Sequence, residues 1–201
     1  DLRTKIDLGK GRILDLSSEL PNDVEVDDGD DDDEGNDGTH ALPWWSGLEL
    51  TRRMDELVPL LEVPPQRILE LGSGLGLVGM AFAVKVLSSN KKASITLSDL
   101  PSALPLLQHN LERNEALLPS QLHARALTWT KDGSNATRTE RPYDCILGSD
   151  LLYNLEMIPA LVATVCRCLH PTKGVFVLAV RWRKPELERQ FFQDAQLDWS
   201  L

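Results

Sequence analysis

The chain has 201 residues, 42% of them hydrophobic, and a formal charge of −10 at pH 7. Length and apolar share suffice for one α/β domain with a sizeable core, and nothing in the composition asks for two. The acidity is local: Asp23 to Asp37 holds ten acidic residues and no basic one, while the other 21 acids balance the 21 Lys and Arg. Phosphate affinity comes from clustered Lys and Arg, and the sequence has no such cluster with interleaved aromatics, which argues against a nucleic-acid partner. Cys145, Cys166 and Cys168 show neither CxxC spacing nor a nearby His cluster, so no metal site and no disulfide framework is indicated. No apolar run approaches the roughly 20 residues that span a bilayer, and Asp1-Leu2-Arg3-Thr4-Lys5 lacks a signal-peptide core. The expectation is a monomeric protein with reduced thiols, off the membrane, in the cytoplasm with the nucleus as a second compartment. A start at Asp1 without Met, and an end at Leu201 inside a strand pattern, read as a domain excised from a longer protein.

Around Gly9-Lys10-Gly11, the stretches Lys5-Ile6-Asp7-Leu8 and Arg12-Ile13-Leu14-Asp15-Leu16 alternate apolar and polar residues, which predicts a β-hairpin, with residues 1–21 an accessory segment. Asn22 to Asp37, with only Val24 and Val26 apolar, cannot bury enough surface to offset its ordering entropy. Residues 22–40 are therefore expected to be a disordered acidic insertion, with an electrostatic arm for a basic partner as the alternative. Residues 41–201 form the main domain. From Gly47 a helix is predicted, because Leu50, Met54, Leu57, Val58 and Leu61 share one face and Pro64-Pro65 ends it.

Strand and helix then alternate: a strand at Arg67 to Leu71, a helix at Leu77 to Val86, a strand at Ala93 to Leu97, and a helix carrying Leu104, Leu107 and Leu111. Further strands are predicted at Leu122 to Leu127 and Tyr143 to Gly148, with a polar loop at Lys131 to Arg141 between them. Ile158, Leu161, Val162, Val165 and Leu169 mark the next helix. Gly174 to Val180 is a continuous apolar run, as expected of a strand buried on both faces. Pro185 to Gln193 reads as a helix and Leu197 to Leu201 as the start of a sixth strand, with no seventh. This order predicts a Rossmann-like, doubly wound, mostly parallel sheet with helices on both faces and a hairpin in front.

Glu70-Leu71-Gly72-Ser73-Gly74-Leu75-Gly76 falls between a predicted strand and a predicted helix, at the sheet edge where open α/β folds bind ligands. Glycines at 72, 74 and 76 allow a sharp turn and close approach of a ligand to the backbone. Gly74-Leu75-Gly76-Leu77-Val78-Gly79 also satisfies the dinucleotide GxGxxG pattern. Asp99, ending the next strand, does not decide, since it would grip ribose hydroxyls of either NAD or S-adenosylmethionine. Glu70 favours the methyl donor: an acid two residues before the first glycine repels a pyrophosphate and tolerates an amino group and a sulfonium. The dinucleotide register would also run the strand through Gly72-Ser73, poor strand formers.

Four separated matches carry a resemblance to the class I lysine methyltransferases grouped as protein methyltransferase family 16. They are Trp44-Trp45-Ser46-Gly47, Arg67 to Gly76 with Asp99-Leu100, Ala126-Leu127-Thr128-Trp129, and Tyr143 to Tyr153, which ends in Asp150-Leu151-Leu152-Tyr153, similar to the family's DxxY element. The resemblance implies S-adenosylmethionine as cofactor and a protein substrate of the elongation-factor or chaperone kind. By it, Trp44 packs near the cofactor, and Glu70, Gly72, Gly74 and Gly76 line its methionine and ribose part. Asp99 takes the ribose hydroxyls, Trp129 lies by the adenine, and Leu100 and Ser149 complete the set. Trp44 is preferred to Trp45 because the family pattern sets an apolar helix residue six after its tryptophan, which Leu50 satisfies. Asp150 and Tyr153 are the implied catalytic pair: Asp150 holds the acceptor ammonium and Tyr153 aligns the amine by its oxygen or ring face. From the residues alone, Asp150 also suits a helix N-cap and Tyr153 a packed residue at a helix start. The acidic insertion and the missing seventh strand depart from the family pattern. Methyl transfer to a non-lysine acceptor, and a non-catalytic interaction module that keeps the fold, are the competing functions.

Overall fold

A computed structural model describes residues 3–20, 43–61, 65–87, 92–135, 142–186 and 189. The expected acidic insertion and sixth strand lie outside these residues. The chain opens with β1 (Arg3–Asp7) and β2 (Ile13–Ser17), an antiparallel pair in register from Arg3 opposite Ser17 to Asp7 opposite Ile13. The turn between them passes through Gly9, Lys10 and Gly11, all at positive φ. The hairpin is joined to the core more closely than an accessory segment would be. Leu14 and Leu16 are fully buried and share a cluster with residues of the main sheet and its helices.

Two asparagines one helical turn apart secure it. Asn110 accepts the Ser17 N–H at 2.7 Å and donates to the Ser17 carbonyl at 3.0 Å. Asn114 treats Asp15 likewise, at 2.9 Å in both directions. The pair substitutes for a neighbouring strand along β2, satisfying backbone groups that would otherwise be buried without partners.

After the hairpin come α1 (Trp45–Leu57), β3 (Arg67–Leu71), α2 (Leu77–Phe82), β4 (Ser94–Asp99), α3 (Leu104–Arg113), β5 (Leu122–Ala126), β6 (Cys145–Ser149), α4 (Ile158–Cys168) and β7 (Val175–Ala179). Helix α1 begins two residues before the expected Gly47 and buries Leu50 and Met54 as its periodicity requires. The expected helix to Val86 divides, with α2 passing into a wider turn at Ala83–Leu87. Strand β6 starts at Cys145, not at Tyr143. Tyr143 makes only an isolated bridge to Leu169, and the Asp144 side chain turns aside to accept the N–H groups of Gln66 and Arg67 at 2.9 and 3.0 Å.

Among the described residues, β3 to β7 form one parallel sheet in the order β5-β4-β3-β6-β7. The alternation of strand side chains divides the core between two faces. Ile68, Cys145 and Leu147 join α1, α2, α3 and the hairpin on one face, and Leu69, Leu71 and Ile146 join α4 on the other. The apolar run of β7 does not have both faces buried: Val175 is exposed and Phe176 to Ala179 are half-buried, because β7 is the edge of the described sheet. No described helix is long and apolar enough to cross a membrane.

The strand order reverses at β3, whose neighbours β4 and β6 lead to opposite halves of the sheet. Crossovers on either side of such a point diverge, leaving a crevice at the carboxyl ends of β3 and β6. The glycine loop leaves β3 on one bank and Asp150 leaves β6 on the other.

Candidate active site at the β3–β6 crevice

The donor bank is built by the turn out of β3. The strand ends at Leu71, so the loop starts at Gly72, the register expected for a methyl donor. Gly72, Gly74 and Gly76 all have positive φ. At Gly72, whose φ of +60° favours glycine, a Cβ would lie 2.7 Å from the end of the Leu151 side chain, which would have to shift, and in ordinary contact, at 3.7 Å, with the Trp129 ring. Gly76, at φ +83°, stands at the N-cap of α2, where a Cβ would press on Leu107 at 2.8 Å.

Two serines fasten the loop to β4. Ser73 N–H donates to the Ser98 carbonyl at 3.0 Å, Ser98 N–H donates to Ser73 Oγ at 3.0 Å, and Ser98 Oγ donates to the Glu70 carbonyl at 2.6 Å. Asp99 continues the connection: Oδ2 accepts the Gly74 N–H and Oδ1 accepts the Leu100 N–H, each at 2.7 Å. Leu100 is half-buried beside it. A carboxylate accepts hydrogen bonds at both oxygens, the chemistry that a pair of ribose hydroxyls would use.

Glu70 is almost wholly buried, and Oε2 accepts the Gly79 N–H in the first turn of α2 at 3.1 Å. Burial pushes its carboxyl up to about 8; hydrogen bonds from Ser73 and Gly79 oppose that rise and the charge of Asp99 adds to it. Burial thus favours the protonated form of the acid that was expected to repel a pyrophosphate. The Gly79 amide, at a helix start of the kind that binds anions in dinucleotide folds, is engaged by Glu70 from inside. Gly79, the third glycine of the GxGxxG match, is accounted for in the same way: a Cβ there would meet Leu97 and come within 2.5 Å of Glu70 Oε2.

The opposite bank holds the acceptor candidates. Asp150 has φ +60°, donates its N–H to the Ala179 carbonyl at 2.8 Å, and is 6% exposed. Its carboxylate is gripped at both oxygens by Arg183, at 2.8 and 3.1 Å. The Arg183 guanidinium also lies 5.8 Å from the Trp44 ring centroid. Asp150 does not cap a helix. That role falls to Asn154, which accepts the Glu156 N–H at 3.1 Å, and α4 begins only at Ile158. Tyr153 is not packed: it stands 51% exposed in the turn between. Trp44 precedes α1 and adds no side-chain cap. A Cβ on Gly47 would lie 3.3 Å from Ser149 Oγ, so the start of α1 rests on the exit of β6.

The structure thus gathers Glu70, Gly72, Gly74, Gly76, Asp99, Leu100 and Trp129 around one bank, and Trp44, Ser149, Asp150 and Tyr153 around the other. Leu151 bridges them through its contact with Gly72. Sequence reading missed Arg183, Ser73 and Ser98. The only sequence sign of Arg183 was a pair of arginines, Arg181 and Arg183, just past a strand that ends beside the β6 acid.

Comparison with known proteins gives the family of the chain. The lysine methyltransferase family profile matches residues 33–198. EEF1A lysine methyltransferase 3 of Xenopus tropicalis is 31% identical over 160 residues, covering 79% of this chain and 65% of that protein. Protein N-lysine methyltransferase METTL21A of the same organism is 30% identical over 167 residues, covering 82% of this chain and 70% of that one. The chain therefore spans just under two thirds of the first relative's length. An O-methyltransferase family protein from Burkholderia thailandensis shares the fold at TM-score 0.52 and 11% identity, over 82% of this chain and 56% of its own. By profile and by relatives, this chain belongs to the lysine methyltransferase family.

Proposed function

We propose that the protein is an S-adenosylmethionine-dependent methyltransferase that modifies a lysine side chain of another protein. The observation that carries this reading is the placement of the Asp99-tethered glycine loop and the DxxY element, residues 150–153, on opposite banks of one crevice. The bank after β3 suits a cationic nucleoside ligand: its loop has no basic side chain, its glycines leave room for close approach, and Asp99 offers acceptors to vicinal hydroxyls. Trp129, against Gly72, supplies an aromatic face for a base.

Bound S-adenosylmethionine would supply a methyl group on a positively charged sulfur, activated for in-line displacement. The residues of the chain have to orient the partners and exclude water. A lysine has a reference pKa near 10.4 and arrives protonated, so it must be bound as a cation and then lose its proton before attack. Asp150 is assigned to hold the ammonium, and Tyr153, at the open lip, to align the amine.

The substrate class is a protein, and the name of the first relative makes a translation elongation factor the leading candidate. We place the protein in the cytoplasm, with the nucleus second, acting as a monomer; thiols free at Cys145, Cys166 and Cys168 support a reducing compartment. The test is incubation of the purified protein with methyl-labelled S-adenosylmethionine and a cell lysate, followed by mass spectrometry of the labelled band. Label on a lysine side chain supports the reading; label confined to small molecules, nucleic acid or another residue type refutes it.

A further inference from the structure

Asp150 is the acid assigned to the acceptor, and the role of Arg183 rests on that assignment. The Asp150 carboxylate is occupied: both oxygens face the Arg183 guanidinium, at 2.8 and 3.1 Å, and its side chain is only 5% exposed. We propose that Arg183 is a specificity-determining residue: it fills the cation seat at Asp150, so a free alkylamine is refused and a lysine carried by a docked polypeptide is admitted in exchange.

Four observations converge. A planar guanidinium matches both carboxylate oxygens at once, whereas an ammonium is a compact point charge that cannot reproduce the fork. A lone amine therefore competes poorly for this seat. Arg183 lies four residues beyond β7, whose last carbonyl, at Ala179, accepts the Asp150 N–H, so the backbone holds the competing cation beside its acid. Such tethering acts as an effective concentration on the order of millimolar or more, which a free amine has to overcome and a docked polypeptide offsets with contacts elsewhere.

The guanidinium also has a place to move. Its side chain is 36% exposed and its other face lies over Trp44, itself at the surface, so displacement from Asp150 would leave it on an aromatic ring and in water. Asp150 also stands in the left-handed region at φ +60°, a conformation costly for a residue with a side chain and concentrated at functional sites.

The experiment titrates n-butylammonium chloride into isotope-labelled protein and follows the Asp150 amide and carboxyl resonances, with sodium chloride as the ionic-strength control. Wild type should show no saturable shift. Arg183→Gln should show one, with affinity raised at least about ten-fold by removal of the tethered competitor, and the double variant Arg183→Gln/Asp150→Asn should lose it. Arg183→Lys keeps the charge and loses the fork, remains usable if the neutral variant unfolds, and should also bind more tightly than wild type. Unchanged affinity in Arg183→Gln and Arg183→Lys, or saturable binding already present in wild type, overturns the proposal. The lysine reading fails separately: a seat unmasked in a protein that methylates something other than lysine upholds the role of Arg183 and removes that reading.

Discussion

The carboxylate of Asp99 accepts the backbone N–H of Gly74 across 2.7 Å, so the acid that ends β4 also fastens the loop that leaves β3. The proposed donor contact and the loop geometry thus meet in one residue. Asp99→Ala should weaken S-adenosylmethionine binding by about 1.5–3 kcal/mol, or roughly ten- to a hundred-fold in Kd, the range of a lost charge-assisted hydrogen bond. Calorimetry on wild type and variant checks this, with NAD as a ligand expected not to bind. Donor affinity indifferent to Asp99→Ala would remove Asp99 from the site.

Glu70 gives a pH prediction. Its carboxyl titrates near 4.5 when unperturbed and near 8 in the fold, where burial favours the protonated form. Between those values the folded state binds more protons than the unfolded state, so Glu70 should make stability fall as pH rises from about 4.5 to about 8. Glu70→Gln keeps an acceptor for the Gly79 N–H and removes the titration. Urea unfolding at several pH values should show a shallower decline for the variant, and parallel curves would place the ionisation elsewhere.

Asn110 and Asn114 predict a different phenotype. Asn110→Ala leaves the Ser17 N–H and carbonyl without their side-chain partners in a buried setting, at a cost of about 1–3 kcal/mol. The loss should appear in chemical denaturation, and in faster amide exchange at Ser17 and Asp15. Donor affinity should hold, since these bonds lie away from the glycine loop. A variant as stable as wild type would mean that Asn114 and the buried Leu14 and Leu16 hold the hairpin without Asn110.

Much of the fold was legible because strand and helix periodicities differ and the apolar runs are clean: β3, α3 and α4 fall close to where Ile68, Leu107 and Leu161 place them. The glycine loop and Asp99 were legible because their types and spacing are local. Features that depend on distant partners were not. The Asp150–Arg183 pair joins residues 33 apart, and its one sequence sign, the arginines at 181 and 183, does not say which acid they meet. The Asp144 side chain accepts the N–H groups of Gln66 and Arg67, a contact at the head of β3 with residues 78 and 77 positions away that the sequence near Asp144 does not announce. The apolar run of β7 suggested burial on both faces, but a strand's neighbours are set by topology and not by its own sequence. Glu70 stands at the strand end that leads into the glycine loop, but its near-complete burial, which pushes its carboxyl up to about 8, was not legible because sequence does not report burial.

The central claim is that the crevice delivers a methyl group to a lysine held at Asp150. The most direct measurement is the initial rate of methyl-lysine formation in a labelled lysate, paired with donor calorimetry, for wild type, Asp150→Asn and Tyr153→Phe. Donor contacts are assigned to the other bank, so both substitutions should reduce the rate at least about ten-fold while leaving donor affinity nearly unchanged, as expected when only acceptor alignment is lost. Normal rates of methyl-lysine formation in both variants would contradict the account.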